Sequence, residues 1–338
     1  MHTSSLRIRA PWNSELRMVE LAPPGPGWVR VEVEACGICG TDLTAAASRA
    51  KDWEAVGHEI AGRIAELGSG VTGLAVGQRV ALESGSFCGR CPSCRDGRVD
   101  LCYSRAPNFW GQAAMGMSGQ MLAPAVCCVP YEGLEPWQAC LAEPVGVAYD
   151  LVRTAGIEMG QSVCVVGPGP IGLAAVALAK HRGAATLVCL GTAGNPERLG
   201  IATQLGATTA VWDGRSVPDA LAKRFDHVLM TAPTACIAPA LGLLAYGGIQ
   251  SFIGIGEGDG TISFDANDFH FRKLQLRSSF AAPAIYFPAV LRLLAAGIVP
   301  AELLVSHRLP LARAAEAFAL CRERKDSTRK IVIEPQQG

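Results

Sequence analysis

The sequence has no excess of either charge: its 338 residues carry 30 Lys and Arg against 30 Asp and Glu. A nucleic-acid binder ordinarily shows a basic footprint, and a protein held electrostatically on lipid shows a basic segment. Neither is present, so no nucleic-acid or membrane partner is expected. A secretory leader is also missing, since Met1 to Ala10 contains arginines and no apolar centre. Uninterrupted apolar runs of membrane length are lacking too. The charge-free stretches Gln161–Ala179 and Val228–Gly256 are broken by glycine and proline. They read as strand, tight turn, helix and as strand, helix, Gly-Gly turn, strand. Internal repeats and low-complexity linkers are absent. A chain of this length, 49% apolar and 18% charged, is globular, forms about two domains and buries a core without staples.

Cysteine, by contrast, is abundant, at 13 residues. Cys88, Cys91, Cys94 and Cys102 follow a C-x2-C-x2-C-x7-C pattern. Without an export signal the chain is expected in the cytoplasm, where such a cluster reads as metal-binding and not as a disulfide framework. Four thiolates complete a tetrahedral zinc shell with no open position, so this site is structural: it staples a loop and does no chemistry. Cys127, Cys128, Cys164, Cys189 and Cys236 lie in apolar segments and read as core.

The first part of the chain is β-rich. Trp28 to Ala35 alternates apolar and polar residues, as a half-buried strand does. Gly68, Gly70, Gly73 and Gly77 punctuate short strands around Val71 and Arg79–Ala81, which predicts a small β-barrel with long loops. From about Val145, strands alternate with helices. Strand Ser162–Val166 leads to a helix over Ile171–His181, then to strand Thr186–Leu190. Asn195 caps the next helix, with Pro196 in its first turn and Gly206 at its end. Strands Asp226–Met230 and Gly248–Ile253 continue the series, which predicts an α/β class with a doubly wound parallel sheet. Helices over Phe287–Ala296 and Leu311–Arg322 and a strand, Lys330–Glu334, close the chain.

Gly167-Pro168-Gly169-Pro170-Ile171-Gly172 fits G-x-G-x-x-G, follows a predicted strand and opens a helix. In that context Gly167, Gly169, Pro170, Ile171 and Gly172 predict a dinucleotide site, with the pyrophosphate at the helix N-terminus. The acidic residue that would bind a ribose 2′-hydroxyl is missing, because the next strand ends Cys189-Leu190-Gly191-Thr192. Its absence permits a 2′-phosphate, which Thr192 and Arg198 are placed to contact. The loop therefore reads toward NADP, with NAD as the alternative.

Three further elements carry chemistry: Cys39-Gly40-Thr41-Asp42, Gly57-His58-Glu59 and Glu143-Pro144. Cys, His and carboxylate are all zinc ligands, and a catalytic zinc keeps one position open. Such a zinc lowers the pKa of a bound alcohol. Thr41 is placed to pass the alcohol proton on, and Asp42 to hydrogen-bond His58 and fix its tautomer. Cys36 reads as packing beside Cys39. Phe109, Trp110, Met115 and Met117 are candidates to line a substrate loop but read rather as ordinary loop packing, and His181 and His307 read as structural.

Taken together these motifs resemble the zinc-dependent medium-chain dehydrogenases, which include alcohol, sorbitol, threonine and related polyol dehydrogenases. The likeness spans nearly the whole chain, from Cys39 and Gly57-His58-Glu59 through the cysteine lobe and Glu143-Pro144 to Ser306-His307-Arg308-Leu309-Pro310. It implies a GroES-like catalytic domain (1–148), a Rossmann domain (149–281) and a C-terminal return to the catalytic domain (282–338). It also implies homodimers or homotetramers, and a catalytic zinc held by Cys39, His58 and either Glu59 or Glu143. The Glu-Pro pair is similar to the polyol branch. Thr44 stands where many members carry a proton-relay histidine, and Ala281-Ala282 follow Ser278-Ser279-Phe280 where sorbitol enzymes have Arg-Tyr, which speaks against sorbitol. Gly191-Thr192 resembles a subgroup acting on modified sugars and cyclitols. The expectation is an oxidoreductase that interconverts a secondary alcohol and a ketone on a polyol, sugar or cyclitol. The alternatives are an amino-alcohol or threonine dehydrogenase, and a nucleotide-binding relative without catalysis.

Overall fold

A computed structural model describes residues 1–104, 107–254, 260–324 and 327–337. The chain forms two compact units, one of residues 1–143, 281–297 and 305–338, the other of 144–280 and 298–304.

Eight strands open the first unit: β1 (His2–Arg9), β2 (Asn13–Glu20), β3 (Trp28–Gly37), β4 (Glu54–Ala55), β5 (Glu59–Leu67), β6 (Arg79–Leu82), β7 (Gln120–Pro124) and β8 (Cys128–Pro130). Short helices α1 (Gly40–Thr44), α2 (Pro92–Arg95) and α3 (Pro136–Ala139) lie between and after them. The alternation in β3 does what its pattern predicts: Val29, Val31 and Val33 are fully buried, while Arg30, Glu32 and Glu34 stay partly open. Val71 is not in a strand. Gly70 and Gly73 on either side take positive φ, so the chain turns there instead of extending.

Helix α4 (Ala142–Ala155) leads into the second unit, with strands β9 (Ser162–Val166), β10 (Thr186–Gly191), β11 (Thr208–Val211), β12 (Phe225–Met230), β13 (Leu244–Ile253) and β14 (Gln275–Ser279). They form one parallel sheet ordered β11-β10-β9-β12-β13-β14, the doubly wound order with its reversal beside β9. Helices α5 (Pro170–His181), α6 (Pro196–Gln204), α7 (Ile237–Ala240) and α8 (Ala266–Phe271) belong to this unit. Because a parallel sheet is covered on both faces, Val163 to Val166 are buried throughout. Asn195 stands at the α6 N-cap, but its side chain makes no cap bond and accepts instead from the Thr192 hydroxyl at 2.8 Å. The far end of the charge-free stretch over 228–256 lies outside the described residues.

The chain then returns through α9 (Phe287–Ala295), passes α10 (Ala301–Leu304) in the second unit, and finishes in the first with β15 (Val305–Pro310), α11 (Ala314–Glu323) and β16 (Lys330–Glu334). There the main sheet runs β15-β16-β3-β5-β6-β8, with β7 also paired to β3. Among the described residues no helix is long and apolar enough to cross a membrane.

Candidate active site

Strand register builds the first half of the site. Gly37 pairs with Glu59 on one side and with Val332 on the other, so β3 brings β5 and the C-terminal β16 together at one point. Gly37 must lack a side chain here, since a Cβ would stand 2.0 Å from Glu59 Oε2. Lys330, at the start of β16, donates from Nζ to Glu59 Oε1 at 2.5 Å and to the Ile38 carbonyl at 2.8 Å. Burial works against the Lys330 charge, but Glu59, Cys39 and Glu143 outweigh it and raise its pKa above the ordinary lysine value. Glu59 Oε2 is buried without a hydrogen-bond partner.

Local chain geometry supplies the rest. Cys39 is the N-cap of α1, and its N–H donates to Asp42 Oδ2 at 2.9 Å. Gly57 N–H donates to Asp42 Oδ1 at 3.4 Å. The hydrogen bond expected from Asp42 to His58 is not made: Nδ1 stands 3.7 Å from Oδ1, because the backbone donors of Cys39 and Gly57 claim the carboxylate. The charges still couple. Burial opposes ionisation of Asp42, yet His58 and those two N–H groups lower its pKa. Burial likewise opposes the His58 imidazolium, yet Asp42 and Cys39 raise its pKa well above the ordinary value.

One donor atom each from Cys39, His58 and Glu59 lie within 4.8 Å of one another. A sulfur, a ring nitrogen and an orphaned carboxylate oxygen form a set that suits zinc. Glu143 stands outside this group but acts on it. Burial raises its carboxyl pKa to about 7, with His58 and Lys330 pulling it down and Glu59 and Asp42 pushing it up. Thr41 sits on α1, two residues beyond Cys39.

The cysteine lobe is a separate cluster. The sulfurs of Cys88, Cys91, Cys94 and Cys102 lie within 4.8 Å of one another, all as free thiols. Backbone N–H groups of Arg90 and Cys91 lower the Cys88 pKa to about 6, favouring the thiolate a metal needs.

In the second unit, Gly167 has φ +100 and Gly169 caps α5. A Cβ on Gly172 would meet the Gly167 carbonyl at 1.9 Å, whereas one on Gly169 would meet nothing within 4 Å. Gly172 therefore serves close packing, while Gly169 leaves open backbone at the start of a 12-residue helix. That division of labour fits a pyrophosphate. Thr192 is exposed and Arg198 lies on α6; no carboxylate ends β10.

Phe109, Met115 and Met117 are buried in the core, and Cys36 packs under Gly57 and Gly116 outside both metal clusters. Trp110 is different: it is 49% exposed and its ring centroid lies 5.0 Å from that of His58. Lys330 is not indicated by the sequence, and Trp110 is there a substrate-loop candidate that reads as packing. A lysine opening an apolar strand signals only a strand end.

Residues 25–133 match the family model described as alcohol dehydrogenase GroES-like domain, and residues 170–296 match zinc-binding dehydrogenase. The chain belongs to the zinc-dependent medium-chain dehydrogenases, enzymes that use zinc and a nicotinamide cofactor. It is 30% identical to L-galactonate-5-dehydrogenase of Escherichia coli K12 over 88% of this chain and 89% of that one. It is 34% identical to D-altritol 5-dehydrogenase of Agrobacterium fabrum over the same shares, 88% and 89%. A Sinorhizobium meliloti 1021 structure, described as a zinc-binding dehydrogenase bound to NADP, superposes with TM-score 0.86 at 26% identity, covering 99% of this chain and 100% of that one.

Proposed function

We propose that this enzyme oxidises a secondary alcohol of a polyol, sugar or cyclitol to the ketone, reversibly, with NADP preferred over NAD. The observation that carries the reading is the Cys39–His58–Glu59 donor group, with half-buried Cys39, buried His58 and Glu59, and Glu59 Oε2 left unpaired. The two relatives named for 5-dehydrogenation of a sugar acid and a polyol support the substrate class.

In this reading Cys39, His58 and Glu59 hold the catalytic zinc, and Glu143 stands by as a carboxylate able to take or return a proton near neutral pH. Lys330 neutralises one side of Glu59 and leaves the other for the metal. Asp42 ties the Cys39 and Gly57 backbones and so spaces the donors. Thr41 carries the substrate proton outward, with Thr44 in place of a relay histidine. A zinc held there would supply acidification of the alcohol, and a bound nicotinamide would supply the hydride acceptor. Cys88, Cys91, Cys94 and Cys102 hold a structural zinc. Gly167, Gly169, Pro170, Ile171 and Gly172 cradle the pyrophosphate, while Thr192 and Arg198 meet a 2′-phosphate that no carboxylate repels. The family resemblance further supports a cytoplasmic homodimer or homotetramer.

The test is reduction of NAD and of NADP against polyols, cyclitols, sugar acids and amino alcohols, with zinc counted in the same preparation. Polyol-dependent NADP reduction at two zincs per chain is expected. Preference for NAD overturns the cofactor assignment, preference for amino alcohols overturns the substrate class, and a single zinc per chain overturns the catalytic centre.

A further inference from the structure

We propose that Thr231 is a positioning residue for the dinucleotide: its hydroxyl holds the Gly167 carbonyl turned into the protein, so that the glycine loop presents amide N–H groups and no carbonyl oxygen to the pyrophosphate. This rests on the reading of the glycine loop given above.

The loop sits where the sheet reverses. Gly167 directly follows β9, which has β10 on one side and β12 on the other. Each neighbour holds one end of this glycine. Its N–H donates to the Leu190 carbonyl of β10 at 2.8 Å. Its carbonyl oxygen lies 2.8 Å from Oγ1 of Thr231, the residue directly after β12. The same hydroxyl stands 2.9 Å from the Val166 carbonyl, but that oxygen already accepts the Thr231 backbone N–H at 2.9 Å. A hydroxyl has a single proton to give, so it serves Gly167, the nearer acceptor. The surroundings are close-packed. A Cβ on Gly172 would stand 1.9 Å from the Gly167 carbonyl oxygen and 2.8 Å from Thr231 Oγ1. Hydroxyl, carbonyl and Gly172 Cα therefore meet in one tight contact beneath the first turn of α5.

The composition of the loop shows why that bond matters. Pro168 and Pro170 have no N–H to offer an anion. Gly169 and Ile171 thus carry the amide donors ahead of Gly172. With so few donors, a single carbonyl oxygen on the same side would offset much of their attraction for a pyrophosphate. Gly167 has φ +100, a region that glycine enters freely, so the peptide plane after it has little intrinsic resistance to rotation. Because the next residue is Pro168, such a rotation would bring out a carbonyl and no N–H in exchange. The Thr231 hydroxyl removes that freedom by bonding the oxygen on the inside. A valine would fill the same space, and only the hydroxyl supplies the bond.

The test uses the zinc-loaded full chain with Thr231→Ala and Thr231→Ser, which differ from each other by the hydroxyl alone. Each is first checked for cooperative thermal melting, and Thr231→Val, which keeps the shape, replaces Thr231→Ala if that variant does not fold. The readout is the dissociation constant of NAD and of NADP by calorimetric titration. Thr231→Ala is expected to weaken both about five- to tenfold, with their ratio unchanged because both contain the pyrophosphate, while Thr231→Ser stays within about twofold of wild type. Equal weakening in Thr231→Ala and Thr231→Ser overturns the proposal, since the hydroxyl is then not responsible. Gly169→Ala, measured beside them, reports on the loop itself. If it weakens binding while Thr231→Ala binds as wild type does, the role of Thr231 falls and the loop reading stands. If Gly169→Ala also binds as wild type does, the loop reading falls and the proposal with it.

Discussion

Replacing Lys330 with Met keeps most of the length of the side chain and removes its charge. The Lys330 and Glu59 side chains are only 5% and 1% exposed, so water cannot replace the lost ammonium. The Ile38 carbonyl also loses its donor. Breaking a buried pair by removing one partner costs about 3–5 kcal/mol, because the remaining charge is left uncompensated. At an unfolding entropy of about 2.1 cal/mol/K per residue over the 338 residues, that lowers the thermal midpoint of the metal-free protein by roughly 4–7 °C. In the proposed site, zinc at Glu59 Oε2 would compensate the same carboxylate, so the zinc-loaded variant should lose clearly less. Lys330→Met combined with Glu59→Gln removes both charges and should recover much of the metal-free loss. Differential scanning calorimetry on the metal-free and loaded forms measures all of this. A metal-free Lys330→Met protein within about 1 °C of wild type would refute the reasoning.

Other outcomes follow from particular residues. Cys39→Ser should drop the zinc content from two per chain to one and reduce turnover to background, with the circular dichroism spectrum unchanged. Gly169→Ala should leave the melting temperature in place, since its Cβ meets nothing within 4 Å, yet weaken nucleotide binding about tenfold or more by calorimetric titration. Burial raises the Glu83 carboxyl to about 8, with the nearby Ser86 pulling the other way. Its folded pKa is above the unfolded one, so between about pH 4.5 and 8 the folded state keeps a proton that the unfolded chain releases, and stability falls by a few kcal/mol as pH rises. Glu83→Gln should flatten that slope in melting temperatures taken across the range. Cys94→Ala should lose the lobe's zinc and lower thermal stability while the second zinc stays bound.

The parallel sheet was legible because its signals are local: apolar runs of strand length, glycine at the turns, and a glycine loop that matches strand and helix on either side. The cysteine lobe was legible for the same reason, its four ligands lying within one short loop. Cys39, His58 and Glu59 were legible as residue types in order, but the sequence left Glu59 and Glu143 equal as the third donor. Register across β3 sets Glu59 opposite Gly37 and leaves its Oε2 unpaired, which is why the proposed site uses Glu59. Asp42 was read as a partner of His58 because acid and imidazole attract, yet two backbone N–H groups nearer by bond geometry took its oxygens. Trp110 looked like its neighbours in the loop. Only the fold shows that Phe109 turns inward and Trp110 outward.

The order in which the chain is made gives the β3–β5–β16 junction a temporal meaning. Glu59 leaves the ribosome 271 residues before Lys330, the group that balances it, and Cys39 earlier still. Until β16 docks against β3, the Glu59 carboxylate has no cation to be buried with, and the strand that carries it has reason to stay hydrated. On this reasoning closure of the first unit is expected to come late, after the second unit has been synthesised. Zinc arriving early would take the place of the missing ammonium. A nascent chain arrested before Lys330 should therefore depend on zinc for order around β5 far more than the finished protein does.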